Sequence, residues 1–238
     1  MWRQVRAWLY PPRCVACGRF DAQVVCARGT ARFEPIRPPA CVRCGAPRRT
    51  LGDCRRCLGR VFAFDVAVCG AVYDSAVRRA IVHLKFRRWQ RAAQPLAELL
   101  WEALCLPERA AWRGVDAIVP VPIHPARRAV RGFNQAERIA ARLSQLSGVP
   151  VQAGWLRRRF YRRPQVGLGQ AERLKNVRDA FEVACPDSVR GRAVWLLDDV
   201  FTTGSTLDAC ARALKDAGAS LVVALAVARD LREDDAGL

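Results

Sequence analysis

The stretch Val194–Leu207, Val-Trp-Leu-Leu-Asp-Asp-Val-Phe-Thr-Thr-Gly-Ser-Thr-Leu, constrains the fold of this chain more than any other. Val194 to Leu197 read as a strand that is apolar on both faces, as in the middle of a parallel sheet. Asp198 and Asp199 follow at its carboxyl end, the edge where open α/β sheets place their ligand sites. Thr202, Thr203, Gly204, Ser205 and Thr206 then bring hydroxyls and backbone N–H groups to the start of a helix, a phosphate-binding arrangement. An ordinary strand, turn and helix with a capping threonine explains the turn. It does not explain the acids, because carboxylates at the end of a buried strand are costly without partners. Acids that can hold ring hydroxyls beside a phosphate cradle suit a sugar phosphate.

From about residue 65 onward, strand and helix patterns alternate. Val66–Tyr73 reads as a strand. Ser75 can cap the next helix, whose apolar positions Ala76, Ala80, Ile81 and Leu84 keep helical spacing. A second helix covers about 90–104, Asp116–Val121 reads as a strand, and Asn134–Leu146 is an amphipathic helix closed by Gly148. Residues 151–156 form a short strand, Ser205–Ala217 a helix and Leu221–Val227 the last strand. This order predicts an α/β fold with a doubly wound, mostly parallel sheet over 61–238.

Residues 1–60 are of another kind. Seven of the eleven cysteines lie here: Cys14-x-x-Cys17-Gly18, Cys26, Cys41-x-x-Cys44-Gly45 and Cys54-x-x-Cys57. C-x-x-C-G is a tight turn that lets two thiolates reach one ion, with glycine relieving the backbone. Cys41, Cys44, Cys54 and Cys57 make a complete tetrahedral zinc set. Cys14, Cys17 and Cys26 are one short, because Gly29 stands where a partner for Cys26 belongs. Three readings stand for this first set: a further ligand completes it, it shares ligands with the second set, or it persists without metal. A module of this size buries little core, so metal supplies its stability. A disulfide framework is the competing reading of the cysteines; a reducing compartment disfavours it. Cys69, Cys105, Cys185 and Cys210 sit in apolar surroundings and read as core thiols.

The net charge of +18 is unevenly placed. Residues 1–60 carry 13 basic and 3 acidic side chains, and residues 127–178 carry 13 and 2. Such blocks are the footprint of a polyanionic partner such as single-stranded nucleic acid. Arginine-rich coding accounts for the scarcity of lysine, which occurs three times, but not for the clustering. No apolar run approaches the roughly 20 residues of a membrane span. Met1–Tyr10, with Trp2, Val5, Trp8 and Leu9 among arginines, reads as a short arm and lacks a signal-peptide pattern. A cytoplasmic protein is expected.

Three further segments are candidates for substrate contact. Val119-Pro120-Val121-Pro122 ends a strand in an unusual loop that can aim N–H groups at a ligand. Arg127, Arg128 and Arg131, in Arg131-Gly132-Phe133-Asn134-Gln135, can fork onto phosphate oxygens or lie solvated. Residues 157–176 are basic and contain Phe160 and Tyr161, so they suit either a closing lid or base stacking.

The Val194–Leu207 stretch resembles the phosphoribosyl-pyrophosphate (PRPP) signature of type I phosphoribosyltransferases. The whole chain, over about 10–230, resembles the ComF family of competence-associated proteins, in which a cysteine-rich zinc module precedes a phosphoribosyltransferase domain. The landmarks are the cysteine pairs, His83-Leu84-Lys85-Phe86, Val119-Pro120-Val121-Pro122, Arg131-Gly132-Phe133-Asn134-Gln135, Arg163-x-Gln165 with Arg173-x-x-Asn176-Val177, Ala180-Phe181, and Leu197-Asp198-Asp199-Val200-x-Thr202-Thr203-Gly204-x-Thr206. The resemblance implies a type I phosphoribosyltransferase sheet, PRPP with Mg²⁺ as ligand, structural Zn²⁺, and a link to imported single-stranded DNA and to DNA-uptake or recombination proteins. Asp198 and Asp199 would meet the ribose and Thr202–Thr206 the 5′-phosphate. Lys85, the 119–122 loop and Arg131 would meet pyrophosphate, with Asp199 the candidate base. Either a transferase or a non-catalytic PRPP sensor that binds DNA fits this pattern.

Overall fold

The structure is a computed structural model that describes residues 13–50, 54–86, 89–159 and 180–231. The expectations for the arm at 1–10 and for the basic segment beyond Arg159, with Phe160, Tyr161, Arg163, Gln165, Arg173 and Asn176, fall outside these residues.

The core is a four-stranded parallel sheet. Strand β1 is Val66–Val72, β2 Ala117–Pro120, β5 Ala193–Phe201 and β6 Leu221–Arg229, in the spatial order β1-β6-β5-β2. A separate antiparallel pair joins β3 (Leu156–Arg158) to β4 (Phe181–Val183). Four longer helices flank the sheet, α1 Ser75–Phe86, α2 Ala93–Leu104, α4 Gln135–Ser147 and α5 Ser205–Asp216, and a short helix with no buried residue, α3 Pro125–Arg131, follows β2. The period of two along the strands decides what faces what. Ile118, Trp195, Leu197, Val223, Leu225 and Val227 pack on one side with α1, α2 and α4. Ala117, Val119, Val194, Leu196, Val222, Ala224 and Ala226 pack on the other with α5. Over Val194–Leu197 and Val222–Ala228 the central strands are therefore apolar on both faces, as the sequence pattern required.

Local chemistry refines several expectations. The cap of α1 is Asp74, not Ser75: its Oδ1 accepts from the N–H groups of Ala76 and Val77 at 2.9 and 2.8 Å. A carboxylate at this position also favours the positive end of the helix. The strand read at 151–156 is a single parallel bridge, Val151 to Ile118, with β3 beginning only at Leu156. Strand β5 continues through both acids to Phe201, pairing Asp198 with Ala226 and Phe201 with Arg229. Cys69 and Cys210 are buried as expected, but Cys105 and Cys185 are exposed. The latter two sit at helix ends, Cys105 following α2 and Cys185 preceding the single turn Pro186–Val189, where the chain leaves the core.

The cysteine-rich region is built into the sheet edge. Ile36 N–H donates to Gly70 O, Val72 N–H to Glu34 O, and Ala67 N–H to Val42 O, at 2.8–2.9 Å. These bonds cover the outer side of β1, which would otherwise be an open edge. The two halves of the region then part. Cys14, Val15, Ala16, Val25 and Phe33 join the core on the α1 and α2 side, while Ile36, Cys41, Cys44 and Cys57 join the α5 side. Buried Arg109 helps fix the crossing, donating to Ala103 O and Ile36 O. Among the described residues no helix is long and apolar enough to cross a membrane.

Candidate functional site

The acid pair lies where β5 meets the turn before α5. Because β5 remains a strand through this point, its adjacent side chains point to opposite faces. Asp199 is buried on the α1 side, where Lys85 Nζ stands 2.5 Å from its Oδ2. This ammonium is the charge partner of the buried carboxylate. Asp198 lies on the α5 side, and its Oδ1 accepts from the Asp199 N–H at 2.8 Å. Burial first, and the Asp199 carboxylate second, push the Asp198 carboxyl up to about 7. Buried Cys210 is nearby, and its thiol is pushed up by burial and by Asp198. The site thus holds one carboxylate matched by a lysine and one that bears its charge at a cost.

The turn that follows is clamped from three directions. Gly204 adopts φ +81°, and a Cβ there would fall 2.5 Å from Phe201 Cζ, so both conformation and space demand glycine. Thr203 Oγ1 meets Ser205 Oγ at 2.9 Å and accepts from Ser205 N–H at 3.3 Å, which gathers the hydroxyls at the start of α5. Buried Arg229, at the end of β6, donates to Thr202 O at 2.7 Å, to Phe201 O at 3.2 Å and to Asp230 O. Its guanidinium also lies 4.9 Å from the Phe201 ring centre. Sequence reading missed Arg229; the signal available was an arginine ending an otherwise apolar strand. From the cysteine-rich side, Arg60 donates to Thr203 O at 3.1 Å, and Phe62 and Phe64 meet the Phe201 ring at 6.1 Å. Ala63 N–H donates to Asp208 on the first turn of α5 at 2.6 Å.

The other candidates divide. In the 119–122 loop, Val121 N–H is already bound to Leu197 O at 2.8 Å and Val121 O to Asn134 Nδ2 at 2.9 Å. This N–H is part of the frame and does not aim at a ligand. Asn134 is buried and also caps α4 through Ala136 N–H at 3.0 Å, so Phe133 and Asn134 hold the loop after β2 together. Arg131 donates to Gln135 Oε1 at 3.0 Å, and Arg128 forks onto Glu137.

The thiols form two separate clusters: Cys41, Cys44, Cys54 and Cys57, and Cys14, Cys17 and Cys26. Sharing of ligands between the sets is thereby excluded. All eleven cysteines are free. In the four-thiol cluster, Cys41–Cys57 and Cys44–Cys54 sulfurs are each 3.7 Å apart. A tetrahedron with zinc–sulfur bonds of about 2.3 Å has edges of about 3.8 Å, so the donor set fits Zn²⁺. Without a cation, one sulfur takes the charge and its neighbours hold their protons. A hydrogen bond from Cys44 pushes Cys41 down to about 4, while that same bond pushes Cys44 up and burial pushes Cys57 up to about 12. Four thiolates coexist there only around a positive ion. Both turn glycines, Gly18 and Gly45, have the positive φ that the motif requires.

Residues 5–58 match the double zinc ribbon domain family. The chain is 30% identical over 194 residues to Competence protein F of Haemophilus influenzae, covering 80% of this chain and 85% of that protein. It is 31% identical over 219 residues to DNA utilization protein YhgH of Escherichia coli K12, covering 91% and 94%. The chain belongs to the ComF family. Among solved structures, this ComF chain aligns with glutamine PRPP amidotransferase from B. subtilis, solved with ADP and GMP, at TM-score 0.40 and 20% identity. That alignment covers 57% of the chain and 26% of the enzyme. Among the described ComF landmarks, the cysteine pairs gather into the thiol clusters, Asp198–Thr206 form the acid-and-turn junction, and Phe133 and Asn134 shape the loop after β2.

Proposed function

We propose that this ComF chain binds PRPP with Mg²⁺ at the carboxyl edge of its sheet and works in the cytoplasm on imported single-stranded DNA. The observation that carries the reading is the junction of β5 with α5, where the Asp199–Lys85 pair, Asp198 and a clamped Thr203-Gly204-Ser205 turn adjoin. Asp198 and Asp199 would hold the ribose hydroxyls, directly or through Mg²⁺. Thr202–Thr206 would hold the 5′-phosphate at the α5 N-terminus, and Lys85 and Arg131 would meet pyrophosphate. In a transfer, the bond from the anomeric carbon to the pyrophosphate oxygen breaks and pyrophosphate leaves with the electron pair. A nitrogen nucleophile forms the new bond and gives up a proton, for which Asp199 is the candidate acceptor. The carboxylates offset the positive charge that grows on the ribose, and Mg²⁺ would neutralise the leaving group.

The names of the relatives and the basic block at residues 1–60 support the DNA link. A second reading, a PRPP sensor without turnover, is favoured by one contact set. Arg60 of the cysteine-rich module binds the turn before α5, and Phe62 and Ala63, which directly follow the module, bind Phe201 and α5, so a change in the turn reaches the end of the basic module directly. Incubation with PRPP, Mg²⁺ and a panel of bases or single-stranded DNA distinguishes the two. Pyrophosphate release with one acceptor makes the chain a transferase, and binding without release makes it a sensor. Unchanged PRPP affinity by calorimetry in a folded Asp198→Ala/Asp199→Ala protein would sink both.

A further inference from the structure

The two ribbons carry unequal donor sets. We propose that Cys14, Cys17 and Cys26 form a three-thiolate zinc site whose fourth position is filled by an exchangeable ligand, beside a closed four-thiolate site at Cys41, Cys44, Cys54 and Cys57. Cys17 and Cys26 sulfurs stand 3.6 Å apart, close to the about 3.8 Å edge of a zinc–thiolate tetrahedron. Cys14 Sγ accepts from the N–H groups of Cys17 and Cys26 at 3.4 Å each, the bonds that favour a thiolate in such a turn.

At the motif position of a fourth cysteine the donor is absent for a steric as well as a chemical reason. Gly29 ends the run Cys26-Ala27-Arg28-Gly29, and a Cβ at this position would lie 2.6 Å from Cys14 Sγ. The space a fourth thiolate would need is therefore taken by Cys14 itself. Among the described residues no other cysteine, histidine or carboxylate joins the cluster. Residues 1–12, which lead into Cys14, contain none of these side chains. The three sulfurs are nonetheless held in place, because Cys14, Val15, Ala16 and Cys26 are packed into the core with α1 and α2. Cys17 is only half-buried, which gives the site a way to water. A zinc ion with an open position accepts and exchanges an outside ligand, whereas a closed Cys₄ site does not.

The test uses the full chain loaded with zinc and measured by native mass spectrometry during competition with a chelator. Two equivalents are expected, one lost in an early phase and one in a well-separated late phase. Cys17→Ser should remove the early equivalent alone, and Cys44→Ser the late one. With cadmium-113 in place of zinc, nuclear magnetic resonance should show two resonances, one of the four-sulfur type and one shifted upfield by the loss of a sulfur ligand. The proposal is overturned by a single equivalent that Cys17→Ser leaves unchanged, or by two equivalents leaving together with two four-sulfur resonances. If Cys44→Ser does not fold, the cadmium spectrum of the unsubstituted chain and the Cys17→Ser count decide the matter.

Discussion

Replacing Asp198 by Asn should stabilise the ligand-free protein at alkaline pH while abolishing its affinity for PRPP. The side chain keeps its size, and an amide oxygen can still accept the Asp199 N–H. What changes is the charge. The Asp198 carboxyl is raised from 3.8 to about 7, first by burial and then by Asp199. Its folded value therefore lies above its unfolded value. Between about pH 4 and 7 the native state holds a proton that the unfolded chain has released, so stability falls as pH rises through this window and levels off above it. At about 1.4 kcal/mol per unit, the full shift of roughly three units would amount to about 4 kcal/mol. Partial access of Asp198 to water reduces the net cost to about 1–2 kcal/mol. Urea unfolding of both proteins, with saturating zinc at pH 5 and pH 8, reads the difference. The variant's advantage should grow between the two pH values, and PRPP calorimetry should show no heat. An advantage equal at both pH values, or a variant less stable at pH 8, would refute the reasoning.

Gly204→Ala should cost about 2–4 kcal/mol, combining a left-handed backbone with overpacking against Phe201, and should weaken PRPP binding; denaturant midpoints and calorimetry check both. Arg229→Met should cost about 2–4 kcal/mol by leaving the carbonyls of Phe201 and Thr202 without their donor, and amide exchange at Thr202–Ser205 should accelerate. Arg60→Ala should leave the melting temperature within a few degrees of wild type but reduce PRPP affinity, as expected for a contact that steadies Thr203 from the surface; equal affinity in the two proteins counts against that role. Stripping zinc with a strong chelator should expose the β1 edge, so exchange at Ala67 and Val72 should rise before that at β5 and β6. Simultaneous release of all strands would show that the ribbon does not guard the edge separately.

The last two perturbations share one structural cause: the cysteine-rich module contributes to the domain it precedes. Glu34, Ile36 and Val42 complete the β1 edge, and Arg60, with Phe62 and Ala63 just after the module, reaches the turn before α5 and its first helical turn. Loss of metal at Cys41, Cys44, Cys54 and Cys57 should therefore be felt at Thr203, with no need for a longer-range pathway.

Much of this protein is written in short-range order. A run of four apolar residues, two acids and a glycine turn specified a buried strand followed by a helix that starts in a cluster of hydroxyls, because strand period and helix-end chemistry are local. The spacing of Cys41, Cys44, Cys54 and Cys57 specified a complete metal set, and the missing cysteine at Gly29 marked an incomplete one. Tertiary structure alone decided which groups meet across long separations. It brought Lys85 to Asp199 and Arg229 to Thr202, and it sent Asp198 and Asp199 to opposite faces by extending β5 through them. It also turned Val121 N–H, a candidate ligand donor, into a frame bond to Leu197, and left Cys105 and Cys185 outside the core at helix ends. Sequence patterns report propensity and spacing within an element; charge pairing, edge covering and the direction of a side chain depend on which elements become neighbours, and that is settled only when the core packs.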